Sequence, residues 1–398
     1  MSANPSIQDI LKTYWGFDQF RPKQEEIILS ILDEKDTLAL LPTGGGKSIC
    51  FQIPSLAKDG ICLVISPLIA LMQDQVQNLK VKGIKALMIH SAMSKREIDI
   101  TLDNAAYGDY KFLYVSPERL ETELFQARLK KMAINLVAID EAHCISQWGY
   151  DFRPAYLNIA ALKEKLNSVP FIALTATATP TVVQDIQEKL LFTKHNVIQK
   201  SFLRKNLAYI VRKTENTTAT MFKVIDGVGG SGIVYTATRK RTKEIANTLL
   251  QHGLKADYYH AGLSSDERQR KQQDWVSNKT QIIVSTNAFG MGIDKPDVRF
   301  VIHADLPSSL EAYFQEAGRA GRDERKAFAV LLLSPSMTGD LKQKTELEFP
   351  EIEFIKKCYL SLSNYFQIPI HGGLDQSYDF DIRDFCNKYK LNISSTYR

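Results

Sequence analysis

The stretch Leu41-Pro42-Thr43-Gly44-Gly45-Gly46-Lys47-Ser48 decides the fold of this chain. It follows an apolar run at residues 37–41, which predicts a buried strand, and it precedes residues 49–53, which can begin a helix. A strand, a glycine turn, Lys-Ser and a helix in this order are typical of a phosphate-binding loop. Glycines let backbone N–H groups converge on phosphate oxygens, and the N-terminal end of the helix adds positive potential.

Two side chains of this stretch would complete a phosphate site. Lys47 is the natural partner for the β- and γ-phosphates of a nucleotide, and the Ser48 hydroxyl is the natural ligand for Mg²⁺. The backbone around the phosphates would be shaped by Thr43, Gly44, Gly45 and Gly46. Leu41 departs from the general pattern, which has glycine at this position. A plain glycine-rich turn is the alternative interpretation.

Composition sets the class of protein. At 398 residues the chain is long for one core, so two or three domains are expected. It has no run of about 18 apolar residues and no signal peptide, so we expect no membrane span. The five cysteines include no C-x-x-C pair, which indicates a reducing cytoplasm, with nucleoid association if the source is bacterial. A net charge of +5 is too small to indicate a nucleic-acid partner by itself.

Apolar runs alternate with helical patterns along most of the chain, which predicts parallel sheets with helices on both faces. We expect an α/β protein with two doubly wound lobes in tandem, residues 1–205 and 206–340, and a short, mainly helical segment at 341–398. The predicted strands are residues 37–41, 61–66, 86–89, 112–116, 136–140 and 171–175, then 207–212, 233–236, 256–260, 282–286, 298–303 and 328–333. Helices are expected within 7–35, broken near 16–22, and at 240–252, 265–277 and 309–319. A flexible segment is expected within 216–232.

An acidic pair, Asp140-Glu141, ends one predicted strand. Because ligands of such sheets lie beyond the carboxyl ends of the strands, this pair would meet the phosphate loop. Asp140 would hold Mg²⁺ through water, and Glu141 would polarise the attacking water. His143 could couple this site to its surroundings, or could simply cap the local structure. Lys47 and the acidic pair together indicate a nucleoside triphosphatase.

A loop rich in aromatic residues follows directly, Ser146-Gln147-Trp148-Gly149-Tyr150-Asp151-Phe152-Arg153. Trp148 and Phe152 offer stacking faces for unpaired bases, and Arg153 offers a phosphate contact. A packed surface loop is the alternative. Thr175 and Thr177, which end the last strand of the first lobe, could link the nucleotide site to bound nucleic acid.

Residues before and after this block add candidate nucleotide contacts. Phe17 can stack on a purine ring, and Gln24 can make two hydrogen bonds to an adenine edge, although an aromatic staple under a helix is the alternative. Arg319 and Arg322, three apart, would share one helical face and fork onto phosphates as an arginine finger does. A solvated helix face is the alternative for them.

With these motifs in view, the chain resembles the RecQ family of DNA helicases, in helicase superfamily 2, from about residue 16 to residue 333. The quoted motifs carry the resemblance, together with Tyr-His-Ala-Gly-Leu at 259–263, Phe-Gly-Met-Gly-Ile-Asp at 289–294 and Gln-Glu-Ala-Gly-Arg-Ala-Gly-Arg at 315–322. The aromatic loop joined to Asp-Glu-Ala-His is the most specific of them.

The resemblance implies RecA-like lobes and unwinding of DNA, dependent on ATP and Mg²⁺, with three-prime to five-prime polarity, in recombination and repair. It implies catalysis by Lys47, Asp140, Glu141 and the arginine pair, with Arg322 as the finger. It implies further nucleotide and DNA contacts from Phe17, Arg21, Gln24, Gly292, Asp294, His143, Ser146, Gln147, Trp148, Phe152 and Arg153. The expected partners are single-stranded DNA and forked or tailed duplexes, bound by a monomer.

The tail departs from the family pattern. Many members carry four zinc-ligating cysteines after the second lobe, but residues 341–398 contain only Cys358 and Cys386, so no zinc is expected. Residues 379–397 resemble the opening helices of a winged-helix domain and stop before its recognition helix. The chain is therefore expected to be truncated. Two other functions stay open at this point: an ATP-driven RNA remodeller, and a nucleotide-gated nucleic-acid binding or annealing protein.

Overall fold

The computed structural model describes residues 6–149, 151–166, 168–289, 295–369, 372–374 and 376–397. By their internal contacts these residues form two compact units. The first unit comprises Met1–Val211 and Met221–Leu331, and the second comprises Arg212–Thr220 and Leu332–Arg398. The first unit contains most residues of two β-sheets, one for each predicted lobe. The second unit is mainly helical.

The first sheet has seven strands in the order β3-β4-β2-β5-β6-β1-β7. Its strands are β1 (Thr37–Leu40), β2 (Ile61–Ile65), β3 (Ala86–Ile89), β4 (Phe112–Val115), β5 (Ile134–Ile139), β6 (Phe171–Thr175) and β7 (Val197–Gln199). Neighbouring strands pair in parallel. β1, β2, β4 and β6 are buried along their whole length, which is why the sequence reads there as unbroken apolar runs. The six predicted strands are confirmed, and β7 is an additional edge strand.

Helices cover both faces of this sheet, as in doubly wound folds. They are α1 (Ile7–Trp15), α2 (Gln24–Leu32), α3 (Lys47–Ala57), α4 (Ile69–Val81), α5 (Lys95–Tyr107), α6 (Glu123–Leu129), α7 (Ile159–Lys165) and α8 (Pro180–Lys189). Short 3₁₀ helices span Pro117–Glu121, Ala142–Ile145 and Pro154–Asn158. Two apolar layers result, one on each side of the sheet.

The second sheet has six strands in the order β10-β11-β9-β12-β13-β8. Its strands are β8 (Leu207–Lys213), β9 (Ser231–Tyr235), β10 (Ala256–Tyr259), β11 (Ile282–Ser285), β12 (Val298–His303) and β13 (Ala327–Leu333). Strands β10, β11, β9, β12 and β13 pair in parallel. The helices of this region are α9 (Thr217–Val228), α10 (Arg239–Gln251), α11 (Ser265–Val276) and α12 (Leu310–Ala317). The predicted tandem of doubly wound lobes is confirmed.

The flexible segment expected within residues 216–232 is wrong, because most of it forms helix α9. The Asn216 side chain accepts a hydrogen bond from the Ala219 N–H at 2.9 Å, as an N-cap does. Met221 and Ile225, four residues apart, are buried on one face of the helix. Of the glycines in this segment, Gly227 lies in the last turn of the helix, and Gly229 and Gly230 follow it with φ of 67° and 78°. The polar residues and glycines of this segment therefore lie mainly at the ends of α9.

The second unit contains helices α13 (Pro335–Glu348), α14 (Ile352–Tyr365), α15 (Ile382–Tyr389) and α16 (Ile393–Tyr397). Phe385, Cys386 and Leu391 form its small buried core. A bilayer-spanning helix would need about twenty apolar residues in a row. The helices within the described ranges contain no segment of that kind.

The absence of zinc from the tail stays a prediction. A closed structural zinc site takes four N or S ligands, and residues 341–398 contain two cysteines, 28 positions apart, and one histidine, His371. His371 lies outside the described residues. We expect elemental analysis of the purified chain to find well below one zinc per molecule. One tightly held zinc per chain, resistant to dialysis, would contradict this prediction.

Candidate functional site

The phosphate loop lies between the carboxyl end of β1 and the first turn of α3. Gly46 is the N-cap of α3, with φ of 75°, and Gly44 has φ of 77°. Residues other than glycine rarely adopt these backbone dihedral angles. A Cβ on Gly45 would lie 2.8 Å from the Pro42 carbonyl oxygen, which is too close. All three glycines are thus needed for the loop geometry, and the N-terminal end of α3 faces outward as in an anion site.

Two side chains hold this loop, Arg21 from the segment before α2 and Gln24 from the first position of α2. The Arg21 guanidinium donates to the Gly44 carbonyl at 2.6 Å. The Gln24 amide donates to the carbonyls of Gly45 and Gly46 at 3.3 and 3.1 Å, and its oxygen accepts from the Arg21 N–H at 2.9 Å. Gln24 is therefore buried and bonded to the loop backbone. A hydrogen bond donated by Gln24 to an adenine would replace one of these two contacts, whereas its oxygen can accept a second hydrogen bond.

Glu141 lies across from Lys47, with 3.6 Å between the Lys47 Nζ and Glu141 Oε1 atoms. β5 ends one residue before Asp140, whose carboxylate accepts the Glu141 N–H at 3.0 Å. Glu141 has φ of 48°, an uncommon value for a residue with a Cβ. Backbone conformations of this kind persist where the surrounding structure imposes them, often at functional sites. The strained residue aims its carboxylate at the lysine of the phosphate loop.

The two carboxylates differ in their protonation. Burial raises the pKa of Asp140 to about 6, and the negative charge of Glu141 adds to this. Burial would also raise the pKa of Glu141, but the positive charge of the nearby Lys47 outweighs it and lowers that pKa below its ordinary value. Glu141 is thus held as the anion, the form that a general base requires.

The same pair provides the test of whether Mg²⁺ fits this site. Ser48 and Asp140 line one cleft together with Glu141, so a hydroxyl and two carboxylates are available, and oxygen ligands of this kind suit Mg²⁺. The raised pKa of Asp140 shows a buried negative charge that lacks full compensation. A divalent cation would supply it. The residues present fit the metal.

His143 connects Glu141 to the end of β6. Its Nδ1 atom lies 3.0 Å from the Thr175 hydroxyl and 3.4 Å from the Glu141 Oε2 atom. The Thr175 hydroxyl in turn accepts the Thr177 N–H at 3.3 Å. Burial lowers the pKa of His143, so its imidazole is neutral at pH 7. The two threonines that sequence reasoning selected are therefore linked to the acidic pair through this histidine.

The aromatic loop follows β5 and the short 3₁₀ helix Ala142–Ile145. Ser146 is buried, and its hydroxyl accepts the Trp148 N–H at 3.2 Å. The Trp148 side chain is 75% exposed, which is unusual for tryptophan and disfavours a packing role. Gln147 is also exposed, whereas Phe152 is partly buried with the Lys189 ammonium 5.8 Å from its ring centre. Tyr150 lies outside the described residues.

Arg153 is bonded within the protein. Its guanidinium pairs with the Asp151 carboxylate at 3.1 Å and donates to the Pro67 carbonyl at 3.0 Å. Pro67 lies just after the carboxyl end of β2, so Arg153 fastens the aromatic loop to a second strand end. A phosphate contact from Arg153 would have to compete with Asp151.

Arg319 and Arg322 lie in a turn and not on a helix, because α12 ends at Ala317. The expectation that they share a helical face is wrong. Gly318 directly follows α12, and Gly321, which lies between the two arginines, adopts φ of 64°. We call residues 318–322 the arginine turn.

The arginine turn packs against the phosphate loop of the first lobe. A Cβ on Gly318 would lie 2.4 Å from the Thr43 hydroxyl oxygen, and a Cβ on Gly44 would lie 3.1 Å from the Arg322 Cγ atom. The positive charge of Arg319 contributes to the lowered pKa of Glu141. The turn therefore brings two guanidinium-bearing side chains of the second lobe to the edge of the phosphate site.

One cleft of about 530 Å³ is lined by the phosphate loop, the residues that hold it, the acidic pair and the arginine turn. They include Phe17, Arg21, Gln24, Thr43, Gly44, Gly46, Lys47, Ser48, Asp140, Glu141, Arg319 and Arg322. Phe17 is 49% exposed, so its ring is available for stacking. Gly292 and Asp294 lie outside the described residues, so their predicted contacts have no structural counterpart here.

Sequence reasoning missed several residues that line or support this cleft. The Gln52 amide donates to the Tyr114 hydroxyl at 3.4 Å, and that hydroxyl donates to the Gln75 side-chain oxygen at 3.0 Å. Gln52 and Gln75 both line the cleft. This hydrogen-bonded chain joins α3, β4 and α4. No local pattern signals it, because its three members come from separate elements.

Comparisons with known proteins point to helicases. The family model for DEAD/DEAH box helicases matches residues 21–186, and that for the helicase conserved C-terminal domain matches residues 217–324. The ATP-dependent DNA helicase RecQ of Bacillus subtilis is 46% identical over 331 residues, covering 82% of this chain and 56% of that protein. The probable ATP-dependent DNA helicase RecS of the same species is 44% identical over 347 residues, covering 86% and 69%. This chain thus spans about half to two thirds of their length.

Solved structures support the fold alone. The DUF1998 helicase MrfA bound to DNA superposes with a TM-score of 0.71 at 17% identity, covering 84% of this chain and 52% of that one. S. cerevisiae Dbp5 bound to RNA and ADP BeF3 superposes with a TM-score of 0.66 at 19% identity, covering 87% and 92%. The predicted RecA-like architecture of the two lobes is confirmed.

Proposed function

Since this chain belongs to the RecQ family of superfamily 2 helicases, we propose that it is an ATP-dependent DNA helicase. It translocates three-prime to five-prime on single-stranded DNA and unwinds duplex DNA in recombination and repair. One observation carries the proposal: the phosphate loop, the Asp140-Glu141 pair and the arginine turn line a single cleft. Phosphoryl transfer to water needs this combination of a phosphate cradle, a base and positive charge.

Nucleotide binding falls to the first lobe. Phe17 stacks on the adenine, with Arg21 and Gln24 beside it, and the backbone of residues 43–46 surrounds the phosphates. The Ser48 hydroxyl and, through water, the Asp140 carboxylate would hold Mg²⁺, and the bound metal would neutralise negative charge on the phosphates. Gln24 and Arg21 already bond to the loop carbonyls. The two residues proposed to lie beside the adenine, Arg21 and Gln24, thus also hold the phosphate loop in its conformation.

Hydrolysis needs a base, an oriented water and positive charge on the transferring phosphoryl group. Glu141 accepts the proton of the attacking water, because the positive charge of Lys47 keeps its carboxylate ionised. Lys47 and Arg322 stabilise the charge that develops on the phosphate oxygens, and Arg319 acts beside them. The lobes, residues 1–205 and 206–340, close and open around this cleft during turnover.

Coupling to DNA runs through the aromatic loop. Trp148 and Phe152 stack on bases of single-stranded DNA, and Ser146, Gln147 and Arg153 orient the loop. The loop is joined to the site by the buried segment from Glu141 to Ser146 and by the contact between His143 and Thr175. Ordering of the loop on DNA thus changes the position of Glu141. The chain acts as a monomer on forked or tailed duplexes.

We expect Trp148→Ala to keep much of the DNA-free ATPase activity and to lose most of its stimulation by DNA. Stacking on one aromatic ring is worth about 1–3 kcal/mol, so affinity for single strands should fall only modestly. Because Trp148 is 75% exposed, its removal should leave the melting temperature unchanged. The measurement is ATPase rate against single-strand concentration, with a melting curve on the same sample.

Tyr107→Ala is the matched control, since Tyr107 is an aromatic residue of α5 that is 67% exposed. It should behave as the unmodified chain in both measurements. Full stimulation of Trp148→Ala together with a lowered melting temperature would instead assign Trp148 to packing.

The proposed function is tested by the nucleic acid that stimulates ATP hydrolysis. Single-stranded DNA should raise the rate severalfold or more, and RNA of the same sequence should raise it much less. Stimulation by RNA alone would favour an RNA remodeller. Binding of the DNA and the RNA without hydrolysis of ATP would favour a nucleotide-gated nucleic-acid binding or annealing protein. Either outcome would replace the proposal.

A further inference from the structure

The segment that joins the two lobes contacts the arginine turn with two inward-facing side chains, Arg204 and Asn206. We propose that Arg204 and Asn206 are positioning residues that hold the arginine turn in place and so set the catalytic contribution of Arg319 and Arg322. The inference rests on the proposed function, and it adds a role for a segment that otherwise reads as a basic connector.

The joining segment runs from the end of β7 at Gln199 to the start of β8 at Leu207. Its exposure alternates with a period of two, as in an extended strand. Ser201, Leu203 and Lys205 are exposed, whereas Phe202, Arg204 and Asn206 are partly buried. One face of the segment therefore points into the protein along its whole length.

Arg204 donates to three carbonyl groups of the arginine turn. Its guanidinium bonds to the carbonyls of Gly318 and Ala320 at 3.1 and 3.0 Å, and also to that of Gly321. Helix α12 ends at Ala317, so carbonyls beyond this point have no partner within the helix. The planar fork of arginine supplies the missing donors at fixed angles.

Asn206 fixes the far side of the same turn. Its amide donates to the carbonyls of Gly321 and Arg325 at 2.7 and 2.9 Å. A Cβ on Gly321 would lie 2.6 Å from this amide nitrogen, so only glycine admits the contact. The Asn206 carbonyl also accepts the Ala327 N–H at 2.9 Å. The turn is thus held from both sides by side chains two residues apart.

The guanidinium of Arg204 forms most of its hydrogen bonds with this turn. Burial lowers its pKa, yet arginine stays protonated at any pH of interest. Within the described ranges its guanidinium forms no ion pair with a carboxylate, and its hydrogen bonds go to carbonyl oxygens and to the side-chain oxygen of Asn206. A partly buried cation held by backbone carbonyls keeps those carbonyls in one arrangement, because releasing any of them leaves a buried donor unsatisfied.

Phe202 connects this clamp to the first lobe. Its side chain packs against the buried core of that lobe, while its ring meets the ring of Phe314 in α12 edge to face at 5.9 Å. Tyr209 stacks on the other side of Phe314 at 6.2 Å. The segment therefore contacts the first lobe, the helix before the arginine turn, and the turn itself. A change in lobe orientation would reach the two arginines through these contacts.

Loss of the clamp should lower turnover and leave nucleotide binding intact. Within the first lobe, the phosphate loop is held by hydrogen bonds from Arg21 and Gln24, and these remain when the clamp is lost. A displacement of catalytic groups by about 1 Å can lower the rate by on the order of a hundredfold. We therefore expect Arg204→Ala to lower kcat of the DNA-stimulated ATPase by roughly tenfold to a hundredfold, with KM for ATP within about twofold.

Two further variants sharpen this test. Arg204→Lys keeps the charge but offers a single ammonium for three carbonyls, so it should recover part of the lost kcat. Lys205→Ala removes the adjacent basic residue, which is exposed, and should match the unmodified chain. A melting curve for each variant shows whether it is folded at the assay temperature.

Hydrogen exchange provides a readout that does not depend on activity. The backbone amides of residues 318–322 should exchange faster in Arg204→Ala than in the unmodified chain, and those of the phosphate loop should not change. Unchanged exchange in the turn, a kcat within about twofold of the unmodified value, or a loss confined to KM would overturn the inference. If the unmodified chain shows no ATPase activity with DNA, the proposed function fails, while the exchange comparison still decides whether Arg204 holds the turn.

Discussion

A folded Lys47→Ala variant is expected to lose DNA-stimulated ATP hydrolysis by a factor on the order of a thousand. Lys47 begins helix α3 directly after the glycine loop, and its ammonium is the positive charge of the first lobe placed opposite Glu141, 3.6 Å away. Removing it leaves the γ-phosphate without its main electrostatic partner in the transition state. It also removes the charge that lowers the pKa of Glu141, so the base becomes harder to keep ionised.

The ATPase rate at saturating DNA and ATP measures this effect. Lys95→Ala is the matched control, because Lys95 lies in the first turn of α5 and is exposed. It should hydrolyse ATP as fast as the unmodified chain. A Lys47→Ala variant with a normal melting curve and a near-normal rate would contradict the assignment of the phosphate loop.

Glu141→Gln should bind ATP with Mg²⁺ and fail to turn it over. Glutamine keeps the size and hydrogen-bonding capacity of glutamate but cannot accept a proton from water. The carboxylate of Asp140 and the hydroxyl of Ser48 remain, so nucleotide and metal binding should be retained. Loss of a general base lowers rates by about a hundredfold to ten-thousandfold.

Binding of a fluorescent ATP analogue and single-turnover hydrolysis separate the two steps for this variant. Glu164→Gln, an exposed position on α7, serves as the control for loss of one negative charge. If Glu141→Gln instead lost nucleotide binding and retained residual chemistry, Asp140 and Glu141 would have to exchange roles.

Much of the first lobe could be predicted because its determinants are local. A buried parallel strand needs an unbroken apolar run, and the residues after its carboxyl end must lie at the edge where ligands bind. Asp140 and Glu141 could therefore be placed beside Lys47, and Thr175 at the same edge of the sheet, from their positions in the sequence. The turn of the phosphate loop could also be predicted from its glycines, because few other residues adopt the φ of 75° found at Gly46.

The remainder could not be predicted because it depends on partners distant in sequence. Gln24 and Arg21 bond to carbonyls of the phosphate loop, Arg153 bonds to Pro67, and Arg204 bonds to the arginine turn. Backbone carbonyls are present at every residue, so no residue type marks them as acceptors. The end of α12 before Arg319 was missed for a related reason, because two glycines near a helix end are compatible with either a helix or a turn.

Strand displacement tests the central claim most directly. The substrates are one duplex with a single-stranded tail at its three-prime end and a matched duplex with the tail at its five-prime end, each with a labelled strand. We expect displacement of the labelled strand from the three-prime-tailed duplex with ATP and Mg²⁺, and none without ATP or with Glu141→Gln. ATP hydrolysis stimulated by both DNAs without displacement of either strand, or displacement that does not require ATP, would contradict the account.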